Sequence, residues 1–278
     1  MLAFLRYWLF RLVSAVGWYA GARTRYDVHS PYLSEFVREV YTDDRKYHAF
    51  YLVEQLRRYW SKQRQTVQLP SLGAPSRTTR RSSRTAASLV RSNAIGRKQG
   101  EFLFRLALWL RPERIVELGT NAGISTVYLH GADTRTPLQT VEGNAEVAAL
   151  AQETFRRAGV SPYVRAYTAT FREWLNQQSP GPPVRLLAFI DGDHRYRPTL
   201  DYVEQLLQHT TDEGIIVVAD IHWSRDMEQA WDELRAHPRV TATVDTYHFG
   251  LLFLRPELNG PKVALVPTRY KPWRVGFF

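Results

Sequence analysis

The sequence predicts an α/β fold in which a mostly parallel sheet is covered by helices on both faces. Three observations carry that reading. From Arg114 to Leu254, short apolar runs alternate with segments of helical periodicity, the sign of a parallel sheet. The stretch Arg114–Thr126, RIVELGTNAGIST, is a buried-strand pattern that ends in a glycine-bearing turn and feeds a helix. The last two strand patterns are separated only by a short turn at Tyr247, which fits an antiparallel hairpin.

Residues 1–22 place Leu2, Leu5, Leu9, Leu12, Val13 and Val16 at helical spacing, so an amphipathic helix is expected there. Arg6 and Arg11 interrupt it, and its longest uncharged stretch, Leu12–Ala22, is far short of the roughly 20 residues of a membrane span. Packing on the protein or a partner is the first reading. Peripheral membrane contact is the alternative, given the flanking arginines, Trp8 and Trp18. No basic segment precedes the apolar one, a poor fit to a cleavable signal, and a cytoplasmic protein is expected.

Ser30 and Pro31 mark the start of a second helix, with Ser30 as N-cap and Tyr32, Leu33, Phe36, Val37, Val40 and Tyr41 on one apolar face. Asp43 and Asp44 are read as restarting the chain into a third, with Tyr47, Phe50, Val53, Leu56 and Trp60 inward. Residues 61–93, with Pro70, Gly73 and Pro75, read as a long loop. Glu101–Leu110 is a helix leading into the first strand. Strands follow at about 114–118, 138–142, 163–168, 185–190, 214–219, 239–245 and 248–254, with helices near 124–130, 145–158, 171–178, 197–209 and 225–236. This divides the chain into a helical extension (1–100), an α/β domain (101–257) and a basic tail (258–278). The tail is expected to lie against the sheet edge or against a second subunit in a homodimer.

Composition narrows the chemistry. No cysteine is present, which excludes disulfides, thiolate metal sites and cysteine nucleophiles. The net charge of +10 would suit nucleic acid, but its distribution argues otherwise. Residues 71–100 alone carry Arg77, Arg80, Arg81, Arg84, Arg91, Arg97 and Lys98 with no acid, and they read as a solvated basic loop.

Within the central stretch, Gly119 and Gly123 stand four apart after Glu117. A dinucleotide fingerprint would need glycines at 119, 121 and 124, where this chain has Gly119, Asn121 and Ile124. A hydride-transfer cofactor is therefore not expected. A second acid, Glu142, ends the next strand about 20 residues on, where a ribose-binding carboxylate belongs. The later strand ends carry Asp191 and Asp220, followed by His194 and His222.

Glu-x-Gly-x-x-x-Gly with Glu142 in register resembles the class I S-adenosylmethionine-dependent methyltransferases. The stretch AFIDGDHRYRPTLDYV is similar to small O-methyltransferases of the catechol and caffeoyl-CoA type and to uncharacterised bacterial relatives. The resemblance covers roughly residues 101–255. It implies a Rossmann-like sheet of seven strands ending in an antiparallel hairpin. It also implies S-adenosylmethionine held by Glu117, Gly119, Thr120, Asn121, Gly123, Ser125, Glu142, Gly143 and Asp191. The cofactor's ammonium group would be met near Glu117 and Gly119, and its carboxylate by amides and hydroxyls from Thr120 to Ser125.

In those enzymes an aspartate matching Asp191 binds a divalent metal, and a lysine in the place of His194 can take the substrate's proton. A histidine is better poised as a base near neutral pH. His194 is the first catalytic candidate, His222 the second, and Asp191 shapes the site. The family's second pair of metal ligands is incomplete here: Asp220 matches, but Ile221 or Ala219 stands where an oxygen ligand is expected. Asp191 and Asp220 are thus the candidate ligands for Mg²⁺, with His222 as a nitrogen donor to a transition ion.

Methyl transfer to a small-molecule hydroxyl is the resulting expectation. Its alternatives are a nucleic-acid methyltransferase and a non-catalytic cofactor-binding protein. Replacing Gly119 by a β-branched residue, or Glu142 by Ala, is expected to weaken cofactor binding and leave the fold largely intact.

Overall fold

The computed structural model describes residues 2–69, 83–179 and 181–274. Its N-terminal part forms α1 (Leu2–Gly21), α2 (Pro31–Phe36), α3 (His48–Trp60), strands β1 (Thr66–Gln68) and β2 (Ser83–Thr85), and α4 (Ala86–Asn93). Then come α5 (Arg97–Leu110), β3 (Arg114–Leu118), α6 (Ile124–Ala132), β4 (Leu138–Glu142), α7 (Ala145–Ala158), β5 (Val164–Thr168), α8 (Phe171–Asn176) and β6 (Leu186–Ile190). The chain continues through α9 (Tyr196–Gln208), β7 (Ile215–Ala219), α10 (Arg225–Leu234), β8 (Ala242–Asp245), β9 (Phe249–Phe253) and β10 (Lys262–Ala264).

The main sheet runs β10-β8-β9-β7-β6-β3-β4-β5, with β9 antiparallel to both neighbours and every other pair parallel. It has eight strands, not seven. The added strand β10 comes from the expected tail, which lies along the sheet edge beside β8. Three residues after an Asn-Gly-Pro turn are too few to show a period, so composition alone hid it.

Alternation along each strand divides the core. Leu186, Ala188 and Ile190 of β6 join Val116, Leu118, Ile216 and Val218 under α8, α9 and α10. Leu187 and Phe189 face the other way, with Ile115, Val217 and Phe253. That second layer is covered by α5, α6 and α7 and also by the N-terminal helices, through Phe36, Val53 and Trp60. Phe36 meets Phe102, Trp109 and Phe253 edge-on at centroid distances of 6.2, 5.6 and 5.6 Å. The extension is part of the same core.

Several boundaries differ from expectation. Pro31 takes the first helical position, but the Ser30 side chain makes no capping bond. The helix widens into a π turn at Val37–Tyr41, where Thr42 N and Oγ1 both donate to Val37 O at 2.8 and 2.9 Å. Helix α3 starts at His48 and not at Asp43, because Asp43 instead pairs with Arg45 at 2.9 Å and with the buried Arg105 at 3.3 Å.

The stretch expected as a long loop holds the β1–β2 pair and α4. Thr85 caps α4 by accepting from Ser88 N at 3.2 Å, and Ala86, Leu89 and Val90 are buried. Arg84 donates to Ser88 O and to Asn93 Oδ1, each at 3.0 Å. Pro70, Gly73, Pro75, Arg77, Arg80 and Arg81 lie outside the described residues, as do Phe277 and Phe278. Among the described residues, no helix is long and apolar enough to cross a membrane.

Candidate cofactor and acceptor site

The strand order reverses between β3 and β6: β4 and β5 lie to one side, β7 and the hairpin to the other. Ligands of open α/β sheets bind beyond the strand ends at such a point. Gly119 and Asp191 meet there. Asp191 N donates to Leu118 O at 2.8 Å, and a Cβ on Gly119 would stand 2.0 Å from Asp191 O. Gly119 also has φ +110°, so glycine is required twice over.

Glu117 is fully buried in β3, in parallel register with Thr140 of β4. Its Oε2 accepts from the Thr126 and Thr140 hydroxyls at 2.5 and 2.6 Å. Its Oε1 is buried without a protein partner. Burial raises the Glu117 pKa to about 7, against the opposing pull of hydroxyls from Ser125, Thr126 and Thr140.

The sign of the consequence follows. The folded chain keeps this proton up to about pH 7, and the unfolded chain releases it near 4.5, so stability declines as pH rises between those values. The full span is worth roughly 3 kcal/mol. Glu117→Gln, permanently neutral, should therefore gain on the wild type by up to about that amount between pH 5 and pH 8. Chemical denaturation of the cofactor-free proteins at both pH values checks this. Parallel pH slopes would refute it.

Glu142 fastens the turn after β3 to the start of α7. Its Oε2 accepts from Asn121 N at 2.9 Å and its Oε1 from Asn144 N at 3.0 Å. Burial raises its pKa, and amides from Asn144, Asn121 and Gly143 oppose that rise. Each oxygen keeps a lone pair for a further donor. The Glu142→Ala variant would thus strand two backbone amides as well as remove a ligand contact, so a loss of stability is expected beside the weaker binding.

The remaining turn residues are partly spoken for. Thr120 is buried with its hydroxyl 2.5 Å from that of Thr140, and the Ser125 hydroxyl turns toward Glu117. Gly123, at φ +77°, precedes α6, and a Cβ there would press on the Phe155 ring at 2.7 Å.

Two contacts bring in the extension. Asn121 Nδ2 donates to Asn93 O at 3.2 Å, and Asn144 Nδ2 to Gln68 O at 2.9 Å. These carbonyls, and Thr126 and Thr140, were not expected at the site. A carbonyl carries no sequence signal. The threonines do: Thr140 is the third residue of β4, opposite Glu117, and Thr126 is nine residues on from it in the first turn of a helix.

Beyond β6 and β7, Asp191, His194 and Asp220 converge. His194 Nε2 lies 3.9 Å from Asp191 Oδ1 and 3.8 Å from Asp220 Oδ2. One ligand atom from each residue can be chosen so that all lie within 4.8 Å of one another. Burial pushes the Asp191 pKa up, as do the carboxylates of Asp220, Glu117 and Glu142, while His194 pulls it down.

Asp193 faces elsewhere: it bonds Arg195 and, at 2.7 Å, the Tyr202 hydroxyl, leaving the His194 ring to the two aspartates. Asn121, Asp193, His194 and Asp220 all have positive φ (50, 64, 43 and 55°), four of the seven such non-glycine residues among those described. Asn, Asp and His are the non-glycine residues that enter this region most readily, which lets the chain turn sharply at these strand ends.

The structure does not bring His222 into this group. Its Nδ1 is 3.0 Å from Glu228 Oε1 and its Nε2 2.9 Å from Asp245 Oδ2, so both ring nitrogens are engaged. The ring stacks on Tyr247 at 5.1 Å, which in turn packs on Trp18 of α1 at 5.3 Å. Burial would lower the His222 pKa, but its bonds to Asp245 and Glu228 hold it above the ordinary value. This histidine ties α1 to the sheet edge.

Residues 116–221 match a family model described as a methyltransferase domain. A catechol O-methyltransferase of Mycobacterium tuberculosis is 31% identical over 137 residues, 49% of this chain and 60% of that protein. One from Niastella koreensis is 32% identical over 130 residues, 46% and 57% of the two chains. The chain thus spans about three fifths of the length of these relatives.

Among solved structures, a putative O-methyltransferase from Klebsiella pneumoniae gives a TM-score of 0.56 at 18% identity, covering 80% of this chain and 94% of that one. An O-methyltransferase from Bacillus cereus in complex with S-adenosylhomocysteine gives 0.54 at 17% identity, covering 80% and 96%. These likenesses speak to the fold. The family match spans both the glycine turn and the Asp191–Asp220 crevice, so this part of the chain is similar to a methyltransferase domain.

Proposed function

We propose that the chain binds S-adenosylmethionine beyond β3, β4 and β6 and transfers its methyl group to a hydroxyl oxygen of a small molecule. One observation carries this reading: a carboxylate pair, Glu117 and Glu142, borders the switch point, and Asp191, His194 and Asp220 converge at the same crevice. The residues fit the cofactor. The buried, unpartnered Glu117 Oε1 is the kind of acceptor that the cofactor's ammonium group supplies a donor for, and Glu142 keeps lone pairs for ribose hydroxyls. When bound, the cofactor supplies an electrophilic methyl carbon on a sulfonium.

The chain's own work is to hold the acceptor oxygen in line, exclude water and accept a proton. His194 is the base in this proposal. Asp191 and Asp220 flank its ring and stabilise the imidazolium that forms. The same three residues offer two carboxylate oxygens and one nitrogen to a divalent cation, Mg²⁺ or a transition ion, which would lower the pKa of a bound acceptor hydroxyl. The nearness of the three donor atoms supports this second reading. Catechols, named for the relatives above, are the first acceptors to try.

Calorimetric titration with S-adenosylhomocysteine tests the central reading, and no binding by the purified chain would sink it. Glu142→Gln keeps a single acceptor oxygen, enough for Asn121 N or Asn144 N but not both, and removes the charge that ribose hydroxyls meet. It is expected to weaken binding by about tenfold or more.

A further inference from the structure

Helix α1 is apolar around most of its surface, yet only one side of it touches the protein. On the inner side, Ser14 approaches His222 Nδ1 at 3.3 Å, and Arg11 lies over the Trp223 ring at 5.3 Å. The outer side presents Leu5, Trp8, Leu9, Leu12, Val13 and Val16, each 53–65% exposed. At about 100° per residue, positions 5, 9, 12, 13 and 16 share one arc, and no charged residue falls inside it. Isolated exposed apolar residues need no explanation, but a continuous ridge of this length does.

The surroundings of the ridge are of one chemical kind. Arg6 borders it on the helix, and Arg23 and Arg25 follow its C-terminal end, all exposed. There the C-terminal segment is fastened alongside: the Lys271 ammonium donates to Ala20 O and Ala22 O at 3.2 and 2.7 Å, and the Tyr19 hydroxyl to Tyr270 O at 2.5 Å. This adds exposed Arg269, Tyr270 and Trp273 to the same end. Arg25 stacks on Tyr26 at 4.8 Å and Arg269 on Tyr270 at 4.9 Å. The acids beside α1 are engaged on the protein side: Asp27 accepts from Thr24 N and Oγ1 at 2.8 and 3.0 Å, and Glu228 accepts from the Ser14 hydroxyl and lies 3.0 Å from His222 Nδ1.

We propose that α1 lies along the surface of an anionic lipid bilayer, its outer face among the acyl chains and the arginine and aromatic cluster at headgroup level. Tryptophan and tyrosine favour that depth, and arginines there meet lipid phosphate. A second copy of the chain is a poorer occupant. Two α1 ridges packed together would crowd Arg6, Arg23 and Arg25 of both copies with no carboxylate on the ridge to answer them. Among the described residues no helix is long and apolar enough to cross a membrane, and the inner face of α1 stays fastened to the protein through Ser14 and Arg11. Docking would bring to the lipid surface the edge of the crevice at Trp223, three residues beyond Asp220. The proposal stands independently of the catalytic reading.

The test is sedimentation of the full chain with vesicles of equal parts phosphatidylglycerol and phosphatidylcholine, and with phosphatidylcholine alone. Binding is expected to the anionic vesicles, weakened by salt and markedly lower on the neutral ones. Leu9→Asp/Leu12→Asp/Val16→Asp should weaken it by about a hundredfold or more, and Arg23→Gln/Arg25→Gln by roughly tenfold. Circular dichroism and S-adenosylhomocysteine titration confirm that the variants are folded. Wild-type protein left in the supernatant, or a triple variant that binds like wild type, overturns the proposal. So does a concentration-dependent dimer in sedimentation velocity that the triple variant abolishes while vesicles bind neither protein.

Discussion

His194→Ala is expected to lower turnover by about 10²–10⁴-fold, the usual contribution of a positioned base, with S-adenosylhomocysteine affinity nearly unchanged. The ring stands between two carboxylates at 3.9 and 3.8 Å and makes no bond with Asp193. Its removal leaves Asp191 and Asp220 facing each other without a proton acceptor between them. Methyl transfer to catechol, followed with and without chelator, separates the two readings of the cluster. Chelator-insensitive activity that falls with the mutation assigns His194 as base. Activity abolished by chelator and restored by added Mg²⁺ or Mn²⁺ assigns the three residues to a metal. A mutant with wild-type turnover in both conditions removes His194 from the chemistry.

Gly119→Val is expected to be lost to misfolding and not merely to weak cofactor binding. A Cβ at this position would meet a backbone carbonyl 2.0 Å away, and backbone has no rotamer to escape into. A β-branched residue at φ +110° adds conformational strain of order 1–3 kcal/mol. The two together should cost about 4 kcal/mol or more, a large part of an ordinary domain's stability. Thermal unfolding of the cofactor-free protein measures it. A melting temperature within about 5 °C of wild type would show that β3 and β6 can separate at no great cost.

The α/β core was legible because its signals are local and strong. Helix Ala145–Ala158 and strands Arg114–Leu118 and Leu138–Glu142 lie at their expected positions, each bounded by a turn glycine, a cap or a proline. The crevice was legible as well, since Glu117, Gly119, Glu142, Asp191 and Asp220 all stand at strand ends. What escaped was whatever depends on a distant partner. Asp43 looks like a helix cap until Arg105, 62 residues on, supplies a buried guanidinium. The sequence ranks His194 ahead of His222 without removing the latter, and only the fold reveals that Asp245 and Glu228 occupy the His222 ring. Thr85 and Ser88 did carry a capping signal for α4, but it was obscured by the surrounding Ser, Thr and Arg residues.

The layer shared by Phe36 and Phe253 also sets a timetable for synthesis. Tyr32 and Phe36 leave the ribosome early, but their ring partner Phe253 is made more than two hundred residues later. At about 5–20 residues per second, the α2 face waits on the order of ten to forty seconds for its partner. During that interval the nascent chain carries uncovered aromatic surface, together with α1, whose anchors Tyr247 and Lys271 are likewise made more than two hundred residues after Trp18 and Ala22. Chaperone cover over that interval is the expected consequence, and translation in a trigger-factor-depleted bacterial extract should yield markedly less soluble product.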